Sequence, residues 1–164
     1  MVRDEELSRL IKYAQGMGVS VKFKPYIKYS KYEAEWSTDG TEIIIYVTKR
    51  SSKINKILSL IHELAHHKSF VDNNRQIDPK VEEAIDSDKN KQHRKCILDY
   101  ETKDTAYWED IYRDTNCQFD IRILHKQKEE DIWTYQIFYE TGKFPSRFHT
   151  LAKRKELTKK YGVR

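Results

Sequence analysis

The sequence contains few cysteines and no long apolar run. Its two cysteines, Cys96 and Cys117, fall in different predicted helices and lack the short paired spacing of a zinc knuckle, so we predict free thiols. The longest mainly apolar stretch, Ile57 to Ala65, is too short and too polar to cross a bilayer, which excludes a membrane partner. The first four residues lack a signal-peptide pattern, so the sequence predicts a cytoplasmic protein.

Internal repeats and low-complexity linkers are also missing. The 164 residues fit one domain, residues 1–164, with a helical C-terminal extension from about 117 to 164. The net charge is +5, and a basic segment runs from Lys153 to Arg164. Because no aromatic-rich recognition motif accompanies it, we favour a solvated helix face, and a nucleic-acid partner is only weakly supported. The oligomeric state is left open.

The hydrophobic pattern of the first third predicts a helix followed by a small sheet. A helical period runs from Asp4 to about Gly16, and alternating apolar residues mark a strand from Val19. The run Glu42 to Val47 is rich in β-branched residues and follows the turn signal Thr38-Asp39-Gly40. We predict two or three antiparallel strands in an α+β fold.

The remaining pattern predicts helices. One begins at Ser51 or Ser52 and is apolar on most of its circumference. The polar connection from Val71 to Asn90, with one possible short helix at Lys80 to Ile85, predicts a mobile gate with little apolar surface to bury. A long helix should follow from about Lys91 to Asp114, and then two C-terminal helices, one ending at Gly142 and one beginning near Ser146.

The helix after the strands carries the motif His62-Glu63-x-x-His66. Residues four apart lie on one face of a helix, so both imidazoles can reach a single zinc ion. Glu63 stands beside the metal position and is suited to act as general base. The apolar helix around the motif favours one zinc site over a chance match.

A catalytic zinc site needs a third protein ligand. Glu101 and Asp104 both fall on the predicted buried stripe of the next helix, where a carboxylate requires a compensating partner. We assign Glu101 as the third ligand and Asp104 as an acceptor that orients a ligand imidazole. His93, at the start of that helix, is the rival third ligand, and Asp104 is a further alternative.

The motif Ile61-His62-Glu63-Leu64-Ala65-His66, with Tyr100-Glu101 and Ala106 downstream, resembles the gluzincins, and among them the small ImmA/IrrE-like metallopeptidases of phages and mobile elements. The resemblance implies that His62, His66 and Glu101 bind zinc and that Glu63 is the base. It also implies that the strand Ile43 to Val47 is an edge along which the substrate aligns. The family often has alanine three residues after the third ligand, where this chain has Asp104.

These features predict a zinc metallopeptidase that hydrolyses a protein or peptide substrate. The resemblance adds that the substrate is one regulatory protein, such as a repressor. Two alternatives remain open at this point. One is a SprT-like protease acting on DNA-bound proteins, with His93 as the third ligand and the basic segment on phosphates. The other is a non-catalytic interaction module, which the presence of Glu63 disfavours.

Overall fold

The computed structural model describes residues 4–26, 33–48, 51–87 and 90–163 and confirms an α+β fold with a helical C-terminal part. The chain forms two compact units. The first unit comprises Met1–Gln76 and Ala106–Phe119, and the second comprises Ile77–Thr105 and Asp120–Arg164. The elements are α1 (Asp4–Gly16), β1 (Ser20–Pro25), β2 (Ala34–Trp36), β3 (Glu42–Val47), α2 (Lys53–Asp72), α3 (Pro79–Ser87), α4 (Lys91–Asp104), a 3-10 turn (Thr105–Tyr107), α5 (Trp108–Asp114), α6 (Ile121–Thr141) and α7 (Arg147–Tyr161).

The sheet of the first unit has the order β1-β3-β2 and is mixed. β2 pairs antiparallel with β3, in line with the predicted antiparallel strands, but β1 pairs parallel with β3. The prediction of antiparallel strands throughout is therefore wrong for β1, because β1 lies on the far side of β3 and not beside its neighbour in sequence. β3 is the central strand, so the edge that the resemblance implied for Ile43 to Val47 is wrong as well.

α2 forms the core of the first unit, as its apolar circumference predicted. Ser52 caps it by accepting a hydrogen bond from the backbone N–H of Asn55 at 3.2 Å, which satisfies one of the amides left free at a helix start. The helix packs against β2, β3, α1 and α5. It buries ten side chains: Ile57, Leu58, Leu60, Ile61, Glu63, Leu64, Ala65, His66, His67 and Phe70.

The predicted long helix from Lys91 to Asp114 is broken in two. α4 ends at Asp104, and a 3-10 turn leads into α5. The hydroxyl of Thr105 donates to the carbonyl of Thr102 at 2.7 Å, a local bond that competes with the regular helical pattern at this point. The apolar stripe nevertheless places Ile97 and Trp108 in buried positions, as expected.

The second unit is built from α3, α4, α6 and α7. Ala84 of α3 packs with Ile97 of α4 and Phe138 of α6 in one buried cluster. The possible short helix at Lys80 to Ile85 is confirmed as α3, which buries Val81 and Ala84. The expectation that this connection has little apolar surface to bury is therefore wrong, and its role as a gate stays a prediction. Asp88 of this connection and Arg164 of the basic segment lie outside the described residues.

α6 ends and α7 begins where the sequence predicts. Gly142 ends α6 in the left-handed region at φ 73°, and Ser146 caps α7 by accepting from the backbone N–H of His149. Cys96 and Cys117 are free thiols. No helix in the described part of the chain is long and apolar enough to cross a membrane.

Candidate metal centre

His62 and His66 converge on one point beside α2. Their Nε2 atoms lie 3.1 Å apart, and their ring centroids are 4.9 Å apart. Two nitrogens that each lie about 2.0–2.1 Å from one tetrahedral zinc are separated by about 3.3–3.4 Å. Glu63, the next residue after His62, is only 7% exposed. The pair therefore has the spacing of two ligands of one metal ion, and Glu63, which follows His62 in sequence, is buried.

Two tryptophans of the first unit flank the pair. The ring of Trp108, the first residue of α5, lies 5.5 Å from that of His62 in an edge arrangement, and Trp36 of β2 lies 6.3 Å from His66. Trp108 is 1% exposed. Such apolar walls limit solvent access and lower the local dielectric, which strengthens electrostatic effects on any bound group.

His67 holds one of these walls in place. The indole N–H of Trp36 donates to Nδ1 of His67 at 3.3 Å, and Nε2 of His67 lies 3.2 Å from the carbonyl oxygen of Met17. Because an indole can only donate, Nδ1 accepts, and the ring proton resides on Nε2 and is donated to Met17. Burial lowers the pKa of His67 and favours this neutral form. His67 is thus fully buried and bonded through both ring nitrogens.

The third candidate ligand comes from α4. One ligand atom from each of His62, His66 and Glu101 lies within 4.8 Å of the other two, and this group could hold a metal ion. The group contains neither Asp104 nor His93, within the ranges of the chain that the structure describes. Glu101 also precedes Trp108 by seven residues, so the chain continues from it directly into the wall beside His62.

His93 is engaged at the start of α4. Its Nδ1 lies 2.6 Å from the hydroxyl oxygen of Ser87, and its backbone N–H donates to the side chain of Asn90 at 2.8 Å. Its Nε2 lies 3.8 Å from a carboxylate oxygen of Glu83. Eight residues separate His93 from Glu101, which is about 12 Å along a helix, so the two side chains belong to different ends of α4.

Asp104 is the last residue of α4 and is 1% exposed. Its burial agrees with the stripe that the sequence predicts, whereas its role in orienting a ligand stays a prediction. The hydroxyl of Tyr112 donates to the backbone carbonyl of Phe119 and is thereby tied to the loop after α5.

Sequence reasoning missed Trp36. β2 has only three residues, and three residues are too few for an alternating pattern to stand out. Its position in the sequence was the one signal that could have found it, since an aromatic residue directly before the turn Ser37 to Gly40 can enter a hairpin that covers the next helix.

A scan against protein-family models finds no match to the chain, and searches of curated proteins and of solved structures find none either.

Proposed function

We propose that the protein is a zinc-dependent metallopeptidase that hydrolyses peptide bonds at the α2 site. The observation that carries the proposal is the convergence of the His62 and His66 Nε2 atoms, 3.1 Å apart, on a helix that also buries Glu63. A structural zinc site has a closed shell of four protein ligands and no use for a general base. A pair of imidazoles with an adjacent carboxylate is suited to catalysis instead.

The donor set fits zinc. His62 and His66 supply two imidazole nitrogens and Glu101 supplies a carboxylate oxygen, which is the ligand combination of several catalytic zinc sites and leaves one position open. Zinc in such a site lowers the pKa of a bound water to about 7 and polarises a carbonyl group. Asp104 is proposed to accept a hydrogen bond that orients one of the ligands.

Glu63 is the proposed proton carrier. As the motif residue that follows His62, it is proposed to accept a proton from the attacking water. It then donates that proton to the leaving amine, so the same group serves both halves of the reaction. The low exposure of Glu63 and the two tryptophan walls keep bulk water from competing for this proton.

The substrate is proposed to bind in extended form along β2. The backbone N–H of Tyr46 donates to the carbonyl of Glu33, and that of Ser37 donates to the carbonyl of Glu42, both at 2.9 Å. Because hydrogen-bonding direction alternates along an antiparallel pair, the backbone groups of Ala34 and Trp36 point away from β3. Within the described residues β2 has no partner on that side, so a peptide can add there as a further strand.

The resemblance to ImmA/IrrE-like metallopeptidases further suggests that one regulatory protein is the substrate. The SprT-like alternative requires His93 as a ligand, and the contacts of His93 with Ser87, Asn90 and Glu83 at the start of α4 give it no support. The proposal therefore keeps Glu101 as the third ligand.

The test is cleavage of a peptide library, followed by identification of the products by mass spectrometry. The wild-type protein should cleave, a chelator should stop cleavage, and added zinc should restore it. The Glu63→Gln variant keeps the size and shape of the side chain but cannot take up the proton, so its rate should fall by about 10²–10⁴-fold. Cleavage at the wild-type rate by Glu63→Gln, or no loss of cleavage with the chelator, would contradict the proposal.

A further inference from the structure

The cations of the basic helix α7 divide into those that form ion pairs and those that do not. Three of its cations form ion pairs: Lys153 with Glu156, Arg154 with Glu130, and Lys160 with Glu129. Three others, Arg147, Lys155 and Lys159, are exposed and have no acidic partner among the described residues. Half of the cations of this helix are therefore neutralised by ion pairs within the fold, and in the described part of the chain the other half are balanced only by solvent.

Two of the open cations, Lys155 and Lys159, share a face with an exposed aromatic ring. Leu157 is fully buried and anchors the inner side of α7, and Phe148 lies nine residues earlier, which places it about 180° around the helix. Phe148 is 77% exposed. Lys155 and Lys159 follow it by seven and eleven residues, so all three lie within about 20° of one line that is about 16 Å long. Leu151, 46% exposed, borders this stripe.

We propose that this stripe, Phe148, Lys155 and Lys159 with Arg147 beside it, binds single-stranded nucleic acid. Cations without acidic partners attract phosphates, and an exposed aromatic ring beside them offers a surface on which an unpaired base stacks. A duplex has no free base face for Phe148. A membrane-binding helix presents a continuous apolar face, and here Phe148 and Leu151 stand among cations. The inference is independent of the metal site.

The test is fluorescence anisotropy of a short labelled oligothymidylate, titrated with the full chain at several salt concentrations. With about three phosphates neutralised, the logarithm of the binding constant should fall with the logarithm of salt concentration with a slope of about −2. Phe148→Ala should weaken binding roughly ten- to hundred-fold through loss of stacking. Lys155→Gln with Lys159→Gln should weaken it too and make the slope shallower by about 1.4.

The matched control removes two exposed charges from the first unit, Lys12→Gln with Lys24→Gln, and should leave affinity and slope nearly unchanged. All substituted side chains are exposed, and equal melting temperatures verify that each variant is folded. The proposal is overturned by a lack of binding at low salt, by equal loss in the control, by unchanged affinity in Phe148→Ala, or by tighter binding to duplex DNA, anionic vesicles or an acidic peptide.

Discussion

α2 and α7 treat their polar side chains in opposite ways. α2 buries Glu63, His66 and His67 within an apolar helix, and His62 beside them is half-buried. α7 buries one residue, Leu157, and keeps its cations at the surface, where several pair with acids of α6 and α7. One helix thus brings polar groups into the core, and the other leaves them in water.

The two helices differ in the desolvation cost that their polar side chains carry. Burying an imidazole or a carboxylate costs free energy unless bonds compensate for the lost water. α2 carries four such side chains, wholly or partly buried, within six residues, and two of them have the spacing of metal ligands. On α7 each charged side chain is compensated by water or by one opposite charge. No bound metal is required to account for the charges of α7.

The first prediction contrasts histidines of the two helices. His62→Ala should remove the bound metal and abolish peptide hydrolysis, because two remaining protein ligands hold zinc poorly. His149→Ala on α7 should leave metal content and activity unchanged, since His149 is exposed and contacts Ser146 and Phe148. Metal analysis and a cleavage assay read out both variants. Equal metal content and equal activity in the two variants would show that the histidines of α2 and α7 do not differ in function.

The second prediction ranks the candidate ligands of α4. Glu101→Ala should lower zinc affinity by more than 100-fold, whereas Asp104→Ala should lower affinity or activity by about 10–100-fold, as for residues that orient a ligand. His93→Ala should have almost no effect on zinc. Competition with a fluorescent chelator measures all three. A large loss in His93→Ala, with unchanged affinity in Glu101→Ala, would assign the third ligand to His93.

The third prediction compares two glycines with positive φ. Gly40 has φ 72°, and a Cβ there would lie 2.5 Å from Cε1 of Phe70 on α2. Gly162, at the end of α7, has φ 64°, and its nearest neighbour would be Nη1 of Arg122 at 3.6 Å. Gly40→Ala should lower the free energy of unfolding by about 2–4 kcal/mol, and Gly162→Ala by about 1 kcal/mol. Urea denaturation tests the order, and equal losses would show that the packing around Phe70 yields easily.

The fourth prediction separates paired from open cations on α7. Arg154→Met should lower the free energy of unfolding by about 1–2 kcal/mol at neutral pH, because it leaves the buried Glu130 without its ion pair. Lys155→Met should change it by less than about 0.5 kcal/mol. Thermal or urea unfolding of both variants makes the comparison.

Acid should relieve the Arg154→Met defect. Burial raises the pKa of Glu130 above its usual value, and Arg154 opposes that rise. A carboxyl whose pKa is raised by folding favours the folded state below its unfolded pKa, and this contribution is lost as the pH rises through the folded pKa. The difference between variant and wild type should therefore shrink toward about pH 4. A constant difference from pH 4 to 7 would argue against the ion pair as its cause.

The sequence predicted what depends on local pattern. The start of α2 at a serine cap, the strand Glu42–Val47, the end of α6 at Gly142 and the start of α7 at Ser146 all follow from neighbouring residues. The pairing of β1 did not, because strand order depends on contacts between distant parts of the chain. The break after Asp104 was missed since the apolar stripe continues across it.

The convergence of His62 and His66 on α2 followed from spacing alone, because residues four apart on a helix share a face. The surroundings of that pair did not follow. Trp36 reaches His66 from a three-residue strand, and its bond to His67 depends on Met17 holding the other ring nitrogen. Periodicity reports which side of an element is buried and not which distant side chain covers it.

The central claim is that α2 carries two ligands of one zinc ion and a separate proton carrier. The most direct measurement is the zinc content of protein purified without added metal, determined by mass spectrometry of the elements. The account predicts about one zinc per chain in the wild type and in Glu63→Gln, and a content near zero in His66→Ala. A wild-type protein without zinc, or a His66→Ala variant with full zinc content, would contradict it.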